Sequence, residues 1–198
     1  MLKKKLRTIA ELIKSGKASE FHFEMLKRDQ AELKKCLLVQ RAETDHLYWF
    51  YEMFSEAGNP GNPDNLVPSP DVTMHTAPDF HQRLSSILDN ISNVNTTANV
   101  AWAASRGHAK SALLSNSNPV RELCYRKRNL ILIVSESQAG SMKFVKWCAN
   151  QLQFNEKLRE HYGPLLHQEV ARNIKLSQDQ FITTEGQMLN SGSLGKQI

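Results

Sequence analysis

The sequence predicts an α/β fold, and three observations carry that expectation. Leu130, Ile131, Leu132, Ile133 and Val134 form an unbroken apolar run of strand length, as in a parallel sheet covered by helices on both faces. Ala98, Asn99, Val100, Ala101, Trp102 and Ala103 read as a second, shorter buried strand. Around these runs lie segments with helical periodicity, and strands that alternate with helices describe a sheet built through crossover connections.

The elements follow in chain order. Residues 2–54 are rich in Leu, Lys, Glu and Ala, contain one Gly and no Pro, and repeat apolar residues at helical spacing, as in Leu26, Leu33, Leu37 and Leu38. Two or three helices are expected there, the last ending in the cluster Leu47, Tyr48, Trp49, Phe50, Tyr51, Met53 and Phe54, which reads as a buried helix end. Residues 57–77 crowd Gly, Asn, Asp and Pro together, and prolines 60, 63, 68 and 70, with Pro78 beyond, block both helix and central strand; a linker or extended arm is expected. After Pro78 a helix should run to about Ile91, with Asp79 as its cap and Leu84, Ile87 and Leu88 on one face. A further helix is expected over 139–154, with Phe144, Val145, Cys148 and Leu152 along one side. Residues 181–191 read as a hairpin turning at Glu185 and Gly186. The domain organisation expected is a basic helical segment at 1–56, a linker at 57–77 and an incomplete α/β domain at 78–198, its sheet unfinished.

Composition bounds the function classes. At 198 residues and 40% hydrophobic content, the chain can bury one ordinary core with an appendage left over. Residues 1–41 carry eleven Lys or Arg against five acidic residues, an excess that exceeds the net charge of +5 of the whole chain. Two readings fit that excess: a solvated amphipathic helix face, or contact with DNA or an acidic partner. Cys36, Cys124 and Cys148 are odd in number and widely spaced, which argues against a disulfide framework or a structural zinc site and for a reducing cytoplasm. No apolar run reaches the roughly 18 residues of a membrane span, and the N-terminus lacks the apolar core of a signal peptide, so no membrane partner and no export are expected.

The chemistry is concentrated at Ala104, Ser105, Arg106, Gly107, His108, Ala109, Lys110 and Ser111. Set against the phosphate-binding pattern G-x-x-x-x-G-K-[ST], this loop keeps the Lys–Ser pair and has Ala at both glycine positions. Its predicted place, between a buried strand and a helix N-terminus, is where free backbone N–H groups and the helix dipole favour a phosphate. The small side chains at 104 and 109 keep the backbone accessible, although Ala restricts φ where Gly would not. In that reading the amides of Gly107, His108, Ala109 and Lys110 cradle phosphate oxygens, Lys110 reaches the β- and γ-phosphates of ATP, Arg106 adds a second cation, and Ser111 offers its hydroxyl to Mg²⁺. Lys110 and Arg106 are the candidate catalytic residues; His108 reads as a loop residue rather than a base. A basic turn without a ligand is the plain alternative. A second glycine-rich stretch, residues 190–197, lacks the first Gly and the terminal hydroxyl and reads as a turn.

From Pro78 onward the chain resembles the large terminase subunits of tailed phages. Four segments in order carry the resemblance: Asp79, Phe80 and His81; residues 106–111; residues 131–137, ending in Ser135, Glu136 and Ser137; and residues 152–159. The stretch from Gly192 to Ile198 resembles the start of a family segment that continues with Arg-Gly. The resemblance implies a partial RecA-like P-loop ATPase core, ATP with Mg²⁺ as cofactors, a γ-phosphate-sensing role for Arg106, and packaging of viral double-stranded DNA into a prohead. It further implies work as a homo-oligomeric ring at the portal, with a small terminase subunit as partner, in the host cytoplasm. Glu136 and its serine neighbours fit either a polar strand cap or a role near the site. After Ser111 no run of about four apolar residues leads into Asp-Glu, the Walker B pattern that holds Mg²⁺ and activates water, and no acidic cluster of a nuclease is present. The expectation is therefore ATP binding with little or no turnover. A non-enzymatic DNA- or protein-interaction fragment with a vestigial P-loop, or another P-loop ATPase, are the alternatives.

Overall fold

The computed structural model describes residues 2–16, 19–93 and 98–195. The chain divides into two compact units, 1–42 and 43–198. In the first unit, α1 (Leu2–Lys14) is followed by α2 (Glu20–Thr44), which runs on into the second. The start of α2 is fixed by His22, whose Nδ1 accepts from the Ser19 N–H at 3.1 Å. The boundary at 42/43 differs from the division expected at residues 57–77. Its physical basis is the aromatic helix α3 (His46–Phe54), whose Trp49, Phe50, Met53 and Phe54 are buried in the second unit.

The second unit is built on that helix. Asp45 caps α3 by accepting from the Tyr48 N–H. Trp49 donates from Nε1 to the Ser117 carbonyl and meets Phe54, Tyr125 and Tyr162 edge-on, and the Tyr125 and Tyr162 hydroxyls bond each other at 2.5 Å. Residues 57–77 do lack regular structure beyond one turn of 3₁₀-helix, Met74–Thr76, yet they are packed on the unit rather than free. Asn59 donates to Asn155, Asn62 to Gln151, and Ser55 bridges Val67.

Helix α4 (Asp79–Asn93) buries Leu84 and Leu88, as its spacing predicts. Asp79 is the first residue of this helix and not its cap; Pro78 supplies the carbonyl that accepts from His81. The helical run after the loop starts at Lys110 and widens into a π-segment, Ala112–Ser117, before α5 (Asn118–Cys124). Pro119 accounts for the widening: it has no N–H for the preceding turn, and the Asn118 N–H reaches back five residues to Leu113.

The sheet has four strands in the order β1, β4, β3, β2: β1 (Leu130–Ser135), β2 (Lys175–Leu176), β3 (Gln180–Ile182) and β4 (Met188–Ser193). β1 and β4 are parallel, with Leu130 opposite Met188; β4, β3 and β2 are antiparallel. The crossover from β1 to the hairpin passes through α6 (Gln138–Phe154), capped by Ser137, and α7 (Glu156–Tyr162), capped by Asn155. The expected hairpin is present, and Gly186 at φ +83° makes its turn. Residues 190–193, expected as a turn, belong to β4; residues 196–198, the end of the terminase-like segment, lie outside the described residues.

Two strand expectations change. Residues 98–103 form no strand, and Val100 is 52% exposed. The apolar character of that stretch rests on small Ala residues, which bury too little surface to hold a strand without a ladder partner. β1 is a strand, but only one of its faces is covered. α6 packs against it, while Leu130, Leu132 and Val134 are 61%, 59% and 45% exposed and line a groove of about 450 Å³ with Leu88, Ile91 and Leu114. The fold is thus mixed α/β, with β1 at the sheet edge.

A polar network ties the helices together under this sheet. Arg121, with no exposed surface, donates to Asp89 at 2.5 Å and to the Glu43 carbonyl at 2.6 Å. The same Asp89 carboxylate accepts from the His46 N–H, and the His46 ring meets Ser85 Oγ at 3.2 Å. Substitution Asp89→Ala removes the counter-charge of a buried guanidinium, and urea denaturation should show a loss on the order of 3 kcal/mol. His46 is buried, and burial first, then the nearby Arg121 charge, hold its imidazole well below the usual histidine range. The unfolded chain therefore takes up a proton below its ordinary pKa near 6.5 while the folded chain does not. The melting temperature should fall as pH drops from 7 toward 5, and His46→Gln should flatten that fall.

Candidate functional site

The loop 104–111 leaves the irregular stretch after α4 and enters the helical run at Lys110. Two of its residues take left-handed backbone conformations, Gly107 at φ +84° and Ala109 at φ +53°. Gly107 accepts this without cost; Ala109 does not, and it is one of only two non-glycine residues with positive φ among those described. Such alternation turns successive N–H groups toward one side, the geometry of an anion-binding nest. Residues 106 and 107 form a hydrogen-bonded turn that places the His108 N–H toward the Ser105 carbonyl, and no hydrogen bond from the N–H groups of Gly107, Ala109 or Lys110 is found among the described residues. The Leu113 N–H already bonds the Ala109 carbonyl at 3.1 Å, so the helix is engaged immediately behind the nest.

The side chains complete the picture. Lys110 folds back over the loop and donates to the carbonyls of Ala104 and Ser105, at 2.5 and 2.6 Å. Its ammonium therefore sits at the loop mouth, held by neutral acceptors that an anion can replace. Arg106 is exposed, and so is Ser111. His108 Nδ1 lies 2.9 Å from Ser105 Oγ and 3.2 Å from the Arg106 carbonyl; a carbonyl only accepts, so Nδ1 carries the proton there. His108 thus bonds within its own loop.

The six residues named from the pattern, Arg106, Gly107, His108, Ala109, Lys110 and Ser111, come together in one turn. Glu136, at the tip of β1, is followed by Ser137, which caps α6 through the Gly140 N–H; Gln138 of that helix bonds Ser191. That tip makes strand-end and helix-cap contacts, in keeping with the polar-cap reading. No group of three or more His, Cys, Asp or Glu side chains that could hold a metal ion occurs among the described residues. For Mg²⁺ the loop offers the Ser105 and Ser111 hydroxyls and no carboxylate, so most ligands would come from phosphate and water. The groove along β1 is lined by other residues and does not include the loop.

The sequence reading missed a contact from α4. His81, 9% exposed, donates from Nε2 to the His108 carbonyl at 3.2 Å, and the Phe80 ring meets the His108 ring edge-on at 5.2 Å. Burial lowers the His81 pKa, against the opposing pull of that carbonyl. The available signal was a polar stripe, His81, Ser85 and Asp89 at i, i+4 and i+8, set among the apolar positions of a helix.

Comparison with protein-family models, curated proteins and solved structures finds no match. No helix among the described residues is long and apolar enough to cross a membrane.

The two left-handed positions give a paired test. Gly107→Ala meets no neighbouring atom yet must place a Cβ at positive φ, and should cost about 1 kcal/mol. Ala109→Gly removes the same strain and should leave stability unchanged or raise it by up to about 1 kcal/mol. Thermal denaturation should therefore shift in opposite directions for the two variants.

Proposed function

We propose that the loop at Arg106, Gly107, His108, Ala109, Lys110 and Ser111 binds the phosphates of ATP, with Mg²⁺ on the Ser111 hydroxyl, as the nucleotide-binding part of a phage terminase large subunit. The observation that carries this reading is the set of three N–H groups without a hydrogen bond, those of Gly107, Ala109 and Lys110, beside the Lys110 ammonium at the entry of a helical run. Anions bind such an arrangement because the amides are already oriented and no ordered protein contact must be broken other than the two Lys110 bonds. In the proposed complex Lys110 leaves the Ala104 and Ser105 carbonyls for the β- and γ-phosphates, and Arg106 swings from solvent to the γ-phosphate. The order of the segments around Asp79, Phe80, His81 and Ser135, Glu136, Ser137 supports the terminase assignment, and with it double-stranded DNA, the portal and a small terminase subunit as partners.

A second reading has one observation in its favour. Residues 98–103 stand outside the sheet, whereas a phosphate loop that serves hydrolysis is braced by a strand in front of it. That favours an interaction fragment in which the loop is vestigial. The two readings separate in a calorimetric titration with Mg-ATP. Nucleotide binding by the wild-type chain, weakened at least tenfold in Lys110→Ala and less in Arg106→Ala, is the expected result; no heat at millimolar Mg-ATP would leave the second reading standing. Because the sequence after Ser111 has no apolar run leading into Asp-Glu, steady hydrolysis by these 198 residues is not expected, and phosphate release abolished by Lys110→Ala would overturn that.

A further inference from the structure

We propose that His81 is a positioning residue that sets the anion-accepting shape of the loop by gripping the carbonyl of His108. The grip acts on the peptide between His108 and Ala109. In a trans peptide the C=O and the following N–H point in opposite directions, so whatever fixes one fixes the other. There are no cis peptides among the described residues, and the His108 carbonyl is engaged by His81 Nε2 at 3.2 Å. That bond aims the carbonyl at α4 and the Ala109 N–H away from it, and no hydrogen bond from that N–H is found among the described residues. It also pins the residue before Ala109, whose left-handed backbone an L side chain avoids when nothing restrains it.

His81 is well placed to hold rather than follow. It occupies the first turn of α4, and its ring is nearly enclosed. Four and eight residues on, Ser85 and Asp89 fasten the same helix to His46 and to the buried Arg121. The loop, by contrast, has exposed residues at 105–108 and no sheet partner in front of it. Phe80 adds a second contact to the same target through the His108 ring. A carbonyl only accepts, so the Nε2 of His81 must carry a proton for the grip to exist; this specifies the tautomer.

The inference rests on the nucleotide reading for its consequence but not for the grip itself, and the experiment separates them. His81→Phe keeps the ring bulk and removes the donor, whereas His81→Gln keeps an amide N–H of similar reach. Without nucleotide, trypsin cleavage after the exposed Arg106, followed by mass spectrometry, should be roughly fivefold faster in His81→Phe and close to wild type in His81→Gln, with cleavage elsewhere unchanged. With Mg-ATP, binding should weaken by a similar factor in His81→Phe and recover in His81→Gln. Equal cleavage in all three proteins, or His81→Gln behaving as His81→Phe, overturns the proposal. If the wild type binds no Mg-ATP while His81→Phe still exposes Arg106, the grip stands and the nucleotide reading fails. Nitrogen-15 spectra of the wild-type imidazoles give a reading without any variant: a neutral His81 protonated on Nδ1 instead of Nε2 overturns the proposal even if His81→Phe does not fold.

Discussion

One carboxylate organises the second unit. Asp89 accepts from the guanidinium of Arg121, which has no exposed surface, and from the backbone N–H of His46. Neither donor could be buried alone, since an unpaired guanidinium or amide in a dry core costs more than the packing around it returns. By meeting both, Asp89 fixes α4 against α3 and α5 at once. Trp49 then fills the space between those helices and α7, with its indole N–H bonded to Ser117. The polar contacts join α4 to α3 and α5, and aromatic rings pack beside leucines in the core around them.

From that anchored helix the loop takes its position. α4 reaches His108 through His81 and Phe80 at one end and the core through Asp89 near the other. The basic turn therefore has a rigid backing even though no strand precedes it. Its electrostatics are simple: one lysine held on neutral carbonyls, one exposed arginine, a set of N–H groups with no acceptor, and no carboxylate among the loop's own residues. Such a loop is electropositive and holds no carboxylate of its own.

Much of the fold was legible because long-period patterns survive without tertiary help. The apolar spacing of Val145, Cys148 and Leu152 marks α6; Gly186 between two apolar stretches marks the hairpin; the run from Leu130 to Val134 marks β1. Residues 98–103 misled for the converse reason. Alanine and one tryptophan look apolar in a window, but a strand exists only where another strand supplies its hydrogen bonds, and none does. The candidate site shows the same split. Its Lys–Ser pair was readable as a pattern, whereas the polar stripe of α4 marks His81 as unusual without saying that it meets a backbone carbonyl 27 residues away.

The sequence by itself determined most of the local elements and the residue pattern of the loop, because helix periodicity, turn chemistry and the Lys–Ser pair are properties of neighbouring residues. Tertiary structure alone decided that β1 is a sheet edge with a bare apolar face, that the aromatic helix belongs to the second unit, and that the loop is braced from α4 rather than from a strand. Those outcomes depend on which distant groups satisfy each other's hydrogen bonds and buried charges, a pairing that no window of the chain contains.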